Sequence, residues 1–125
     1  MKQISLRKAT FVISILFLLS IVCTFHPQQA CAHSPSYVQL EYDLPSHSLK
    51  ITITHNTPMP DFHYIKRVTI KKNGVELSVN EYKSQPTKDT FSYTYDVPAN
   101  EGDKLEATAK CSMYGSKTGE LTIGK

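Results

Sequence analysis

The sequence predicts an all-β fold, an immunoglobulin-like β-sandwich of about seven strands. From residue 36 onward apolar residues alternate with polar ones, which is the period of a strand. β-branched and aromatic residues dominate these runs. Turn signals separate the runs at intervals of roughly ten residues. No stretch of this region has a helical period, so we predict no helix in it.

Each predicted strand is a short run in which every second residue is apolar. Asn73-Gly74 is the strongest turn signal between them, because both residues tolerate a positive φ and favour a two-residue hairpin. Residues 84–89 are predicted as a polar loop and residues 99–103 as a tight turn. The predicted strands are residues 38–42, 49–53, 65–70, 75–82, 91–97, 105–111 and a short closing strand at 121–123.

A segment of different composition precedes these strands and is typical of a signal peptide. Basic residues near the start are followed by an almost continuously apolar run at residues 11–25, which is shorter than the roughly 20 residues that cross a membrane. Ala30-Cys31-Ala32 has the small-x-small form of a cleavage site. We therefore expect residues 1–32 to be removed and residues 33–125 to form one secreted or periplasmic domain. A lipoprotein acylated at Cys23 is the alternative, although Val22 is not the small residue such a site needs.

Charge argues against several classes of partner. The full chain has 14 Lys and Arg residues against 11 Asp and Glu residues. Lys2, Arg7 and Lys8 would leave with the signal peptide, which makes the mature domain formally neutral. A basic arm for nucleic acid or for anionic lipid is therefore not predicted.

Cysteine content restricts the domain further. Cleavage would remove Cys23 and Cys31 and leave Cys111 as the one thiol, so no internal disulfide can form. A lone thiol in an oxidising compartment is expected to be buried, paired with another chain or bound to a metal.

Metal ligation is the chemistry that the remaining residues suggest, because the common catalytic motifs are absent from the sequence. Imidazole and thiolate together suit zinc, copper or iron. His55 and His63 flank a stiff loop with two prolines, which lowers the entropic cost of holding two ligands together. Ordinary polar residues at loop edges are the alternative. The candidate residues are His33, His47, His55, His63 and Cys111.

Cys111 comes at the end of a predicted strand and is followed by a turn that closes at Gly115. Backbone N–H groups in such a turn can donate hydrogen bonds to a thiolate and tune a bound metal. A buried cysteine that acts as a small apolar residue is the alternative.

These residues, in this order, resemble a known family. His55 with its proline loop, then His63-Tyr64-Ile65, the hairpin, and finally the run from Cys111 to Gly115 are similar to the iron-binding domain of desulfoferrodoxin and neelaredoxin, the superoxide reductases. The resemblance covers roughly residues 33–123. It implies an immunoglobulin-like sandwich that holds one non-haem iron between four histidines in a plane and an axial cysteine thiolate.

Residue by residue, the resemblance implies a ligand set of His33, His55, His63 and Cys111. His33 lies in Ala32-His33-Ser34-Pro35, which resembles the early His-x-Pro ligand of the family.

The sequence departs from the family at three points. His55 and His63 are eight apart where the family usually has six, the Glu-Lys-His motif is absent, and Tyr114 stands where a histidine is expected. Tyr114 and His47 are therefore further candidate ligands. A packed tyrosine and a solvated turn histidine are their respective alternatives.

The resemblance implies that ferrous iron reduces superoxide to peroxide, with the thiolate favouring peroxide release. Lys50 and Lys66 would attract the anion or serve as surface lysines. The implied partners are superoxide and an electron donor of unknown identity, and homo-oligomer formation is left open. Three other functions stay open as well: a non-enzymatic metal or redox domain, a copper site at the α-amino group and imidazole of His33, and an immunoglobulin-like interaction module without metal.

Overall fold

The structure is a computed structural model that describes residues 34–124. Seven strands in two antiparallel sheets form this part of the chain, and no helix occurs among the described residues, which confirms the predicted β-sandwich. Nothing between residues 34 and 124 is a helix of the length and apolarity that a membrane crossing requires. The predicted signal peptide and His33 lie outside the described residues. The strands are β1 (Tyr37–Asp43), β2 (Ser48–Thr54), β3 (Ile65–Lys72), β4 (Val75–Glu81), β5 (Thr90–Asp96), β6 (Lys104–Cys111) and β7 (Ser116–Thr122).

The two sheets enclose one apolar core. One sheet has the strand order β1-β2-β5 and the other has the order β4-β3-β6-β7. The strand period sends alternate side chains of β2 inward, which buries Leu49, Ile51 and Ile53 completely. Side chains of this size each contribute about 1.5–3 kcal/mol when they leave water. Apolar residues of β1, β3, β5 and β6 complete the core from both sheets.

The predicted hairpin is present, and one predicted strand is longer than expected. Asn73 and Gly74 both have positive φ, 52° and 82°, as the two-residue turn between β3 and β4 requires. β7 begins at Ser116, five residues before the predicted start of the closing strand. Its first half lacks apolar alternation because its inward position is Gly119, where a Cβ would lie 2.3 Å from the Val38 carbonyl oxygen.

Two histidines lie at the ends of β2, so the two ends of the sandwich are called the His47 end and the His55 end. His47 directly precedes β2, and His55 directly follows it. At about 3.3 Å per strand residue, their α-carbons lie about 26 Å apart. At the His47 end, the Tyr42 hydroxyl donates to the Val97 carbonyl oxygen at 2.7 Å. At the His55 end, the loops after β2 and β6 meet.

Candidate metal centre

The pairing of β3 with β6 brings His63 and Cys111 to the same end of one sheet. Ile65, the first residue of β3, is in register with Cys111, the last residue of β6. His63 lies two residues before Ile65 and therefore beside the end of β6. The segments before β3 and after β6 are also joined by a hydrogen bond, which the Ser112 N–H donates to the Tyr64 carbonyl oxygen at 2.8 Å.

The loop between His55 and His63 folds back so that both imidazoles face the same place. The His55 N–H donates to the Asp89 carbonyl oxygen at 2.9 Å and so continues the pairing of β2 with the chain before β5. Further along, the Met59 carbonyl oxygen accepts hydrogen bonds from the N–H groups of Phe62 and His63 at 3.0 and 2.9 Å. This tight turn reverses the chain after Met59, and the two histidine rings meet edge to face, with centroids 4.7 Å apart.

The loop after Cys111 closes around the sulfur. The Cys111 N–H donates to the Gly115 carbonyl oxygen at 3.1 Å. Gly115 has a φ of 77°, a backbone conformation that glycine adopts more readily than residues with a side chain. The Met113 N–H points at Cys111 Sγ, 3.4 Å away. The turn after Cys111 therefore directs one backbone N–H at the sulfur.

Three metal-ligating side chains come together where these loops meet. One donor atom from each of His55, His63 and Cys111 lies within 4.8 Å of the other two. His55 and Cys111 are buried, at 0% and 1% exposure, whereas His63 is half-buried and forms the accessible side of the group. Within residues 34–124, Cys111 is a free, buried cysteine.

The imidazole of His63 and the thiol of Cys111 are in direct contact. His63 Nε2 lies 3.0 Å from Cys111 Sγ. This distance is that of a hydrogen bond between the ring and the sulfur. Two imidazoles and a thiolate suit iron, zinc and copper, so the residues present fit a late transition metal.

His55 has a further buried partner that the sequence did not reveal. Gln85, in the loop between β4 and β5, is 5% exposed, and its Oε1 lies 2.7 Å from His55 Nδ1. The Gln85 backbone N–H donates to the Pro60 carbonyl oxygen at 3.2 Å, which ties this loop to the one that carries the histidines. Gln85 lies in a segment predicted only as a polar loop, and no motif or period marks it.

The other predicted site residues lie in different surroundings. His47 is exposed at the far end of β2, and its Nδ1 lies 3.1 Å from the Tyr42 hydroxyl. Tyr114 lies in the loop after Cys111 with 63% of its side chain exposed. Lys50 forms an exposed ion pair with Glu41 at 3.3 Å, as a surface lysine does. Lys66 is half-buried on β3, one residue beyond Ile65.

The first described residues lie against the Cys111 loop. A Cβ built on Gly115 would come within 1.8 Å of Ser34 Oγ and 2.8 Å of Ser34 Cβ. Ser34 therefore occupies the space that a side chain at residue 115 would need. This contact brings the chain that follows His33 to the same end of the sandwich as the three grouped residues.

Comparisons with known proteins gave matches among solved structures. No family model matches the chain, and no curated protein does. Two structures that match with probability 1.00 come from Nanoarchaeum equitans and Ignicoccus hospitalis. Both are superoxide reductases. The first is 20% identical to this chain, with a TM-score of 0.42, and the match covers 75% of this chain and 96% of that one. The second, a neelaredoxin, is 13% identical with a TM-score of 0.45, and the match covers 77% of this chain and 88% of that one.

Proposed function

We propose that this chain is an exported non-haem iron protein of the superoxide reductase type, a divergent relative of desulfoferrodoxin and neelaredoxin. The observation that carries the proposal is the group formed by His55, His63 and Cys111, whose donor atoms lie within 4.8 Å of one another. His55 and His63 come from the loop between β2 and β3, whereas Cys111 is the last residue of β6 and lies 48 residues beyond His63 in the sequence. Their meeting at one buried place is what a metal centre requires.

The protein's own residues would hold the ion and limit access to it. Buried His55 and Cys111 would bind it from within the sandwich, and half-buried His63 would leave one side open to a small anion. When bound, ferrous iron supplies one electron, so that superoxide takes up this electron and two protons to become hydrogen peroxide. The Met113 N–H, 3.4 Å from Cys111 Sγ, stabilises negative charge on the sulfur. A thiolate is the form that binds metal.

His33 is proposed as the next ligand. His33 directly precedes Ser34 in the sequence. Ser34 lies against Gly115, four residues beyond Cys111. This contact supports a ligand supplied by the start of the mature chain. Tyr114 is retained as a further candidate, on the same loop.

Export is part of the proposal, since cleavage after Ala32 would make His33 the terminal residue. We expect mass spectrometry of the protein purified from a bacterial periplasm to give a chain of residues 33–125. A chain that keeps residues 1–32, or one that begins with a lipid-modified Cys23, would contradict the cleavage site.

Product stoichiometry tests the proposed activity. A reductase forms one hydrogen peroxide per superoxide, with the second electron taken from a chemical reductant. Dismutation forms one hydrogen peroxide and one dioxygen from two superoxide ions. We expect the mature protein, reconstituted anaerobically with ferrous iron, to give a ratio near one to one, and we expect Cys111→Ser to lose the activity.

His47→Ala is the control for this assay, because it changes a histidine at the other end of β2. It should keep the activity of the unaltered protein. A protein that binds iron but leaves superoxide untouched would indicate a non-enzymatic metal domain. A protein that retains copper and no iron would favour the copper site, and one that binds neither would favour an interaction module.

A further inference from the structure

The side chain of Gln85 makes three hydrogen bonds inside the protein. Its Nε2 lies 2.9 Å from the His55 carbonyl oxygen and 2.8 Å from the Thr87 carbonyl oxygen. Its Oε1 lies 2.7 Å from His55 Nδ1. Gln85 is 5% exposed, and its backbone N–H donates a hydrogen bond to the Pro60 carbonyl oxygen. Both its backbone and its side chain are therefore held by hydrogen bonds.

These contacts decide which way the amide of Gln85 points. Carbonyl oxygens only accept hydrogen bonds, so the atom that faces His55 O and Thr87 O must be the NH2 group. The opposite orientation would place the amide oxygen against two other oxygens. The atom that faces His55 Nδ1 is therefore the amide oxygen, which only accepts.

The orientation of Gln85 in turn fixes the proton on His55. An acceptor 2.7 Å from Nδ1 requires that Nδ1 carry the hydrogen. A neutral imidazole carries one such hydrogen, so Nε2 of His55 keeps its lone pair. The other tautomer would set two lone pairs against each other in a buried place, where an unmade hydrogen bond costs about 1–3 kcal/mol.

We infer that Gln85 is a positioning residue that selects the Nδ1–H tautomer of His55 and presents Nε2 as the metal ligand. The part of this inference that concerns the metal rests on the proposed function, whereas the part that concerns the tautomer does not. Gln85 joins the loop between β4 and β5 to both the backbone and the ring of His55. It therefore fixes the ring's rotation as well as its protonation.

The tautomer is measured on the metal-free mature protein. NMR of isotope-labelled histidine, which correlates each ring nitrogen with the ring carbon protons, separates the two tautomers. The spectra are recorded near pH 8.5, about two units above the usual histidine pKa. We expect His55 to be protonated on Nδ1. A His55 protonated on Nε2 in this unaltered protein would overturn the inference, whatever the metal does.

Gln85→Met tests the cause, because methionine has a similar length but no amide oxygen. We expect the Nε2–H tautomer of His55 to appear in this variant. In an anaerobic titration with ferrous iron alone, the affinity should fall by about 10–100-fold, as is typical when the partner of a metal-bound histidine is lost.

Thr87→Val is the matched control in the same loop. It removes the hydrogen bond that Thr87 Oγ1 donates to the Thr90 carbonyl oxygen at 2.9 Å and the one that it accepts from the Asp89 N–H at 3.4 Å. The backbone carbonyl of Thr87, which accepts from Gln85, is kept. The variant should keep both the tautomer and the iron affinity, since it only loosens the loop. If Gln85→Met kept the Nδ1–H tautomer, or if Thr87→Val changed the affinity equally, the inference would be wrong. Iron binding by none of the proteins would overturn the proposed function and the metal part of the inference, while the tautomer result would stand separately.

Discussion

The histidines on either side of β2 show how the same side chain is used differently at the two ends of the sandwich. His47 lies in an exposed turn, with a φ of 53° and a tyrosine hydroxyl 3.1 Å from its ring. His55 is fully buried, with Gln85 on one side of its ring and His63 on another. Only seven strand residues separate them.

The difference between the two ends lies in the loops rather than in the histidines. At the His55 end, the loops after β2, β4 and β6 converge and cover the ring. At the His47 end, the hydroxyl of Tyr42 ties the turn to the chain at Val97 and Ala99 and leaves the imidazole in solvent. Burial among other ligating side chains, and not the presence of a histidine, is what suits the His55 end to metal binding.

The largest difference between the ends is expected in metal affinity. Cys111→Ser removes the thiolate from the group, so we expect ferrous affinity to fall by more than the roughly 100-fold that a lost supporting residue can cost. His47→Ala should leave the affinity unchanged. Isothermal titration under anaerobic conditions measures both. Equal losses in the two variants would abolish the distinction between the ends.

The next effect concerns the stability of the metal-free protein. His55→Ala empties a buried site and leaves Gln85 Oε1 without its ring partner, which should lower the free energy of unfolding by about 1–3 kcal/mol. His47→Ala changes an exposed turn, so its effect should stay within about 0.5 kcal/mol. Urea denaturation gives both values. A His47→Ala variant that is the less stable of the two would show that the turn, and not the buried ring, matters more for folding.

A pair of glycines sharpens the comparison further. Gly102 and Gly115 both have positive φ, 85° and 77°, so an alanine at either should cost about 1–2 kcal/mol. A Cβ at Gly102 meets nothing within 4 Å, whereas one at Gly115 collides with Ser34. Gly115→Ala should therefore also weaken iron binding by displacing the start of the domain, and Gly102→Ala should not. Unchanged iron affinity in Gly115→Ala would argue against a ligand supplied by the chain before Ser34.

The smallest expected effect is a pH dependence of stability that comes from Asp103, in the loop that adjoins His47. The backbone N–H of Asn100 and the side chain of Asn73 donate to Asp103 and hold the pKa of its carboxyl below the usual 3.8. Because this pKa is lowered on folding, the ionised carboxyl contributes to the stability of the fold above pH 3.8. This contribution is lost as the pH falls through the pKa of the folded state. Asp103→Asn should therefore flatten the fall in stability below that pH. Melting temperatures of the unaltered protein and of Asp103→Asn, measured across the acid range, test this. If the two curves ran parallel, this carboxylate would have no role in the acid dependence.

The strands could be predicted because their signals are local. Alternation of apolar residues located six of the strands closely, and Asn73-Gly74 located a hairpin whose φ values are those expected. The start of β7 was missed because its inward position is a glycine packed on β1, and only the neighbouring strand explains that residue.

The site could be predicted only in part, because its geometry depends on contacts between distant segments. The residue types of His55, His63 and Cys111 indicated metal chemistry. Their meeting depends on the register of Ile65 with Cys111 and on the turn after Met59, which no single segment specifies. Gln85 carried no signal at all, since an isolated glutamine in a polar loop is ordinary until its amide is seen against a buried histidine.

The visible spectrum of the iron-reconstituted mature protein tests the central claim most directly. After anaerobic loading with ferrous iron and oxidation, we expect one iron per chain and a sulfur-to-iron charge-transfer band. The band should be absent in Cys111→Ser and present in His47→Ala. A colourless protein that retains no iron after this treatment, or a band that persists in Cys111→Ser, would contradict the assignment of His55, His63 and Cys111 as a metal centre.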